Sequence, residues 1–65
     1  MYLEYDWTCG VYKPRIGDCF TSVDGWRSFE GLAHARATLA GVGLRLGGKT
    51  DSRTWRIEVA AKVEG

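Results

Sequence analysis

Two runs of apolar–polar alternation, one near each end of the chain, bracket a single stretch of helical spacing. Nothing else in the sequence limits the fold as strongly. In the C-terminal run Trp55, Ile57, Val59, Ala61 and Val63 fall on one side, with Thr54, Arg56, Glu58, Ala60 and Lys62 on the other. In the N-terminal run Leu3, Tyr5, Trp7, Cys9 and Val11 alternate with Glu4, Asp6, Thr8 and Gly10. A period of two belongs to a strand with one buried and one wet face, so both runs are expected in a sheet. Between them Phe29, Leu32, Ala33, Leu39 and Ala40 share one helical face, with Arg36 at its edge. Ser28 suits an N-cap, Glu30 the first turn, and Gly41 with Gly43 the stop, which predicts a helix over 29–40.

The rest is punctuation. Lys13-Pro14-Arg15-Ile16-Gly17 reads as a turn, followed by a second strand over 18–23. Asp24-Gly25 is a hairpin-type turn signal, and Trp26-Arg27 either adds a short strand or leads into the helix. Leu44-Arg45-Leu46 begins a strand that Gly47-Gly48 interrupts, and Lys49 to Ser52 reads as a polar loop. The order is β-β-(β)-α-β-β, an α+β fold. Its expected form is a small antiparallel sheet of four to five strands covered on one face by a single helix. All 65 residues are expected in one domain. A chain this short hides only roughly 60% of its unfolded surface. Three Trp, three Tyr and two Phe therefore matter, because large rings bury much area per residue.

The chemistry is sparse. The one histidine, His34, sits off the apolar stripe and reads as a solvated helix residue, with no nucleophile motif near it. No catalytic residue is assigned, and the chain is read as a non-enzyme. Cys9 and Cys19 are ten residues apart, unlike the close pairs of zinc sites, so neither a metal nor a cofactor is expected. They are read as reduced and partly buried, with a bridge closing the first hairpin as the alternative. Gly43-Leu44-Arg45-Leu46-Gly47-Gly48-Lys49-Thr50 fits the letters of a phosphate-binding loop. That motif needs a helix starting at its lysine, whereas a loop and a strand are expected here. No apolar run is long enough for a membrane helix, and the acidic, alternating N-terminus is unlike a signal peptide, so a cytoplasmic protein is expected.

Binding is what remains. Net charge is only +1, but it is unevenly spread. Residues 25–56 carry Arg27, Arg36, Arg45, Lys49, Arg53 and Arg56 against Glu30 and Asp51, a local +4. If Arg45 and Arg56 share the open face of the sheet with Tyr12 near them, they form a basic patch for phosphate or carboxylate partners. Glu4 and Asp6 on the N-terminal strand, with Asp18 beside them, read as edge charges that protect against aggregation, with a contact site for a basic partner as the alternative. Tyr2, Tyr12 and Trp26 lie off the stripes or at element ends and are expected to stay exposed. Trp, Tyr and Arg dominate interface hot spots. The partner-binding candidates are therefore Arg27, Arg45, Arg53, Arg56, Tyr2, Tyr12 and Trp26, and the partner is a protein or ribonucleoprotein complex. The alternative is a small nucleic-acid-binding protein using a basic sheet face, and the oligomeric state is left open.

With its Met1 start, one β-β-α-β-β unit over the whole length and no catalytic motif, the chain resembles the short accessory proteins of bacteriophages and mobile elements, including anti-CRISPR proteins. That resemblance implies an inhibitor that binds a bacterial protein or ribonucleoprotein complex directly. No site residue carries over from it, since no motif is shared. The near-neutral charge speaks against a strongly acidic DNA mimic.

Overall fold

The computed structural model describes residues 1–60. The elements run β1 (Tyr2–Asp6), β2 (Val11–Ile16), β3 (Cys19–Phe20), α1 (Leu32–Gly41), β4 (Leu44–Asp51) and β5 (Thr54–Val59). The strands form one antiparallel sheet in the order β3-β2-β1-β5-β4. The single helix lies on one face of this sheet, as the alternation required. Leu3, Ile57, Val23, Phe29, Ala35 and Leu39 make the core, with Tyr12, Leu32, Leu44, Leu46 and Trp55 packed against it. The C-terminal stripe extends as expected through Val59, while Ala61, Lys62, Val63 and Glu64 lie outside the described residues.

The N-terminal alternation breaks in the middle. The run from Leu3 to Val11 is not one strand but the first arm and turn of a hairpin. Asp6 ends it: its side-chain oxygen Oδ1 accepts the Thr8 N–H at 3.0 Å, and its carbonyl accepts Cys9 N–H at 3.2 Å and Gly10 N–H at 2.7 Å. Gly10 takes φ +71, which a glycine adopts without strain. These local bonds reverse the chain where periodicity alone would extend it. The expected turn at 13–17 shifts accordingly. Lys13 to Ile16 belong to β2, and only Gly17-Asp18 turn, with φ +58 at Gly17 as a tight hairpin requires. Pro14 is buried in mid-strand opposite Leu3. Its carbonyl points to the β3 side, where it accepts Thr21 N–H at 2.9 Å. Since N–H and C=O of a strand residue point the same way, its missing donor faces the two-residue edge strand and removes nothing from the β1 ladder.

The expected strand over 18–23 shrinks to Cys19–Phe20, and the Asp24-Gly25 turn is present. Both turn residues have positive φ, 52 and 81, and Val23 and Trp26 exchange two backbone hydrogen bonds of 2.9 and 2.8 Å across them. The helix starts three residues later than expected. Phe29 trades both backbone bonds with Tyr12, each 2.8 Å, and is therefore extended and locked to β2. Gly31, not Ser28, is the N-cap residue, and it makes no side-chain cap bond. The buried helix face becomes Leu32, Ala35 and Leu39, while Ala33 and Ala40 face out. In place of the expected polar loop, β4 continues to Asp51 with irregular register against β5 around Gly47-Gly48 and Thr50. The stretch that spells a phosphate-binding loop is thus a bulged edge strand.

Candidate functional site

Register assigns every sheet residue to a face. Leu3, Tyr5, Tyr12, Pro14, Trp55 and Ile57 point toward the helix side. Tyr2, Glu4, Asp6, Lys13, Arg15, Arg45, Arg56 and Glu58 share the opposite, open face. Arg45 and Arg56 are therefore on one face as expected, but Glu58 lies between them. Its carboxylate reaches Arg45 at 3.2 Å and Arg56 at 3.7 Å. The expected acidic surface is balanced in the same way. Glu4 pairs with Arg15 at 2.8 Å, and Asp6 with Lys13 at 2.8 Å. The open face is a network of ion pairs: Arg45 stands directly opposite Glu58, Glu4–Arg15 and Asp6–Lys13 join β1 to β2 diagonally, and Arg56–Glu58 lies within β5.

Two of the three tyrosine and tryptophan candidates are not left over from packing. Tyr12 lies on the helix side, tilted against Tyr5 at 4.8 Å and edge-on to Trp55 at 5.6 Å, so it cannot join Arg45 and Arg56. Its place opposite Tyr5, next to the Leu3–Pro14 pair, puts it over the core. Tyr2 is half-buried on the open face beneath the Arg15 guanidinium, 5.0 Å from its ring centre. Arg53 is exposed in the β4–β5 turn, where its N–H donates to Asp51 Oδ1 at 2.8 Å. It borders a small polar cleft of about 170 Å³ with Glu4, Arg15, Asp51, Ser52 and Thr54. Trp26, in contrast, is 48% exposed, as expected, and neighbours Arg27.

Trp26 and Arg27 stand between two open clefts. The first, about 480 Å³, is lined by Lys13, Phe20, Thr21, Ser22 and Arg27. The second, about 500 Å³, is lined by Gly25, Trp26, Arg27, Ser28, Glu30 and His34. Arg27 belongs to both, and among the described residues no carboxylate lies within ion-pair distance of it. Phe20 offers a ring 56% exposed at the sheet edge, with Lys13 Nζ 5.4 Å from its centre. His34 is not a solvated residue. Its ring stands edge-on to Trp26 at 4.4 Å and to Phe29 at 5.2 Å, half-buried as a wedge that fixes Trp26 against the helix. The positive φ values at Asp24 and Gly25 fold the Trp26 backbone back on Val23, which is buried in the core. The arginine–aromatic surface is thus held by the turn on one side and the histidine on the other.

Sequence reading missed Phe20 and Trp7. Trp7 sits in the β1–β2 turn and is 66% exposed, although its place in the alternation counted it as core. The signal that it turns outward is Asp6 followed by Thr8 and Gly10. Phe20 is exposed because it stands opposite Arg15 on the uncovered face of the sheet, at its edge, a placement that only the β2–β3 register decides. The cysteines are also corrected: both are free and exposed rather than partly buried. Cys9 precedes β2 and Cys19 pairs with Ile16 at its far end. The length of β2 alone, about 16 Å at 3.3 Å per residue, exceeds the span of a disulfide.

Electrostatics sharpen the two turns rather than the clefts. Hydrogen bonds from the Lys13 ammonium and from the Thr8 hydroxyl and N–H, together with the Lys13 charge, hold the Asp6 carboxyl well below the usual aspartate range, and Asp6 in turn raises Lys13. Asp51 is lowered as well, chiefly by the Arg53 N–H. Among the described residues no group of three or more His, Cys, Asp or Glu side chains gathers as metal ligands do, and no helix is long and apolar enough to cross a membrane. No protein-family model, curated protein or solved structure matches this chain.

Proposed function

We propose that this chain is a non-enzymatic binding protein that engages a protein or ribonucleoprotein complex through the surface around Arg27. One observation carries this reading: Phe20 and Trp26 expose about half their side-chain-bearing surface on either side of an arginine with no carboxylate partner among the described residues. Rings and arginine are the side chains that interface hot spots favour, and a ring already wedged by His34 loses little freedom on binding. By resemblance to the short phage and mobile-element proteins, the outcome of such binding is inhibition of a bacterial complex.

The alternative, a basic sheet face for nucleic acid, draws less support, because the arginines of that face stand beside Glu4 and Glu58. Backbone phosphates need several uncommitted cations. Tagged protein incubated with bacterial lysates tests the proposal. A stoichiometric partner that is retained by the native chain and lost with Trp26→Ala or Arg27→Ala is expected. Recovery of no partner from plausible hosts, together with salt-sensitive retardation of DNA or RNA, moves the function to the alternative.

A further inference from the structure

We infer, resting on the binding surface just proposed, that the two clefts around Arg27 recognise a short partner segment in which an acidic side chain neighbours a bulky apolar one. The first cleft supplies what a carboxylate needs. Arg27 lies on its border, Lys13 on another, and Thr21 and Ser22 bring hydroxyl donors between. Lys13 is already paired with Asp6 at 2.8 Å, so its charge is largely spent and Arg27 is the cation left to answer the ligand. A guanidinium without a partner gains a charge-assisted, two-pronged bond to a carboxylate that an ammonium cannot match.

The second cleft is different in kind. Trp26 and His34 give it an aromatic wall, Gly25 opens its mouth, and Glu30 puts a negative charge on its rim. It is therefore unsuited to a second anion and suited to an apolar side chain lying on the indole. Because Arg27 lines both clefts, the acidic and apolar groups must be close neighbours along the bound segment. The same observations weigh against a nucleic-acid strand in these clefts, where it would bring a phosphate to every base and meet Glu30 and the exposed Asp24 beside Arg27, the one arginine lining them.

The test uses the full chain, immobilised, and a phage-displayed library of random dodecapeptides. Enriched peptides are expected to carry Asp or Glu within a few residues of Trp, Phe, Leu or Met. Resynthesised with a fluorophore, they should bind Arg27→Gln and Trp26→Ala about tenfold or more weakly, and Arg45→Gln unchanged. Exchanging the peptide's acid for its amide should cost as much as Arg27→Gln. Thermal melts matching the native protein establish that the variants are folded, since all three positions are exposed. No enrichment over an unrelated immobilised protein overturns the inference. So do enriched peptides without an acidic residue, binding to Arg27→Gln within about twofold of native, or tighter Arg27-dependent binding of oligothymidylate than of any peptide. A lysate partner that holds to the Arg27→Gln variant but not to Trp26→Ala leaves the binding reading standing while this one falls.

Discussion

Asp6 decides more than any other side chain how the first sixteen residues fold. Its carboxylate takes the Thr8 N–H and the Lys13 ammonium, while its carbonyl takes two further N–H groups. Asp51 repeats the device in the other hairpin by accepting the Arg53 N–H. Both carboxyls are lowered from their ordinary value of 3.8, so both bind protons less readily folded than unfolded. The stability they lend is therefore complete above that value and is lost as pH falls below it. Melting followed by circular dichroism should give a clearly lower Tm at pH 3 than at pH 7, with the difference reduced in Asp6→Ala. Equal pH sensitivity in native and variant would remove Asp6 from this role. Trp7, held outward by the same turn, is expected to be dispensable for folding. Trp7→Ala should shift stability by less than about 0.5 kcal/mol, as exposed positions usually do, whereas a true core tryptophan costs about 3–5 kcal/mol. Urea denaturation separates the two cases.

At the scale of the element, β4 and β5 show how a sheet face becomes neutral. Glu58 bridges to arginines on both strands, and it has room to do so because Gly47 faces it without a side chain. A Cβ at Gly47 would run into the Glu58 carboxylate, whose flexible end must then swing away. Gly47→Ala should leave the fold intact but release Arg45 and Arg56. Affinity for a single-stranded oligonucleotide at low salt, read by anisotropy, should rise severalfold, and Glu58→Gln should have the same effect. No change in either variant would show that Glu58 does not hold the arginines in check. The same glycines put an irregular register into the outer strand, and with Arg45 and Lys49 on it they discourage pairing with another sheet edge. The opposite edge, β3, is only two residues long.

For the whole molecule, stability hangs on few residues. Among the described residues, Phe29, Leu3 and Leu39 are the large side chains fully removed from water, along with Pro14. Phe29 also ties the segment before the helix to β2 through its backbone. Truncating a buried Phe to Ala costs about 3–5 kcal/mol, comparable to the entire stability of a domain this small. Phe29→Ala should therefore populate the unfolded chain at 25 °C, visible as collapsed amide dispersion in NMR spectra. Retention of a native spectrum would mean that the core reorganises around the loss. Trp26 and Arg27 follow directly on the turn that Phe29 helps to anchor, so the proposed binding surface should disappear with the fold.

The sequence alone determined the layering: the C-terminal stripe places Trp55 and Ile57 under the helix and Arg56 and Glu58 on the far face, because side chains of a strand alternate whatever surrounds them. It also determined the Asp24-Gly25 turn, since few other residue pairs take two successive positive φ values readily. Tertiary structure decided the rest. Whether Leu3 to Val11 forms one strand or two depended on β1 pairing with β2 across the turn that Asp6, Thr8 and Gly10 signal. Where the helix begins depended on Phe29 finding Tyr12, a contact between residues far apart in the chain. Which arginines are answered depended in part on cross-strand register, which brings Arg45 to the Glu58 that spacing alone set two residues from Arg56, and leaves Arg27 between its two clefts. Local pattern records which way a side chain points; only the assembled sheet determines what it meets there.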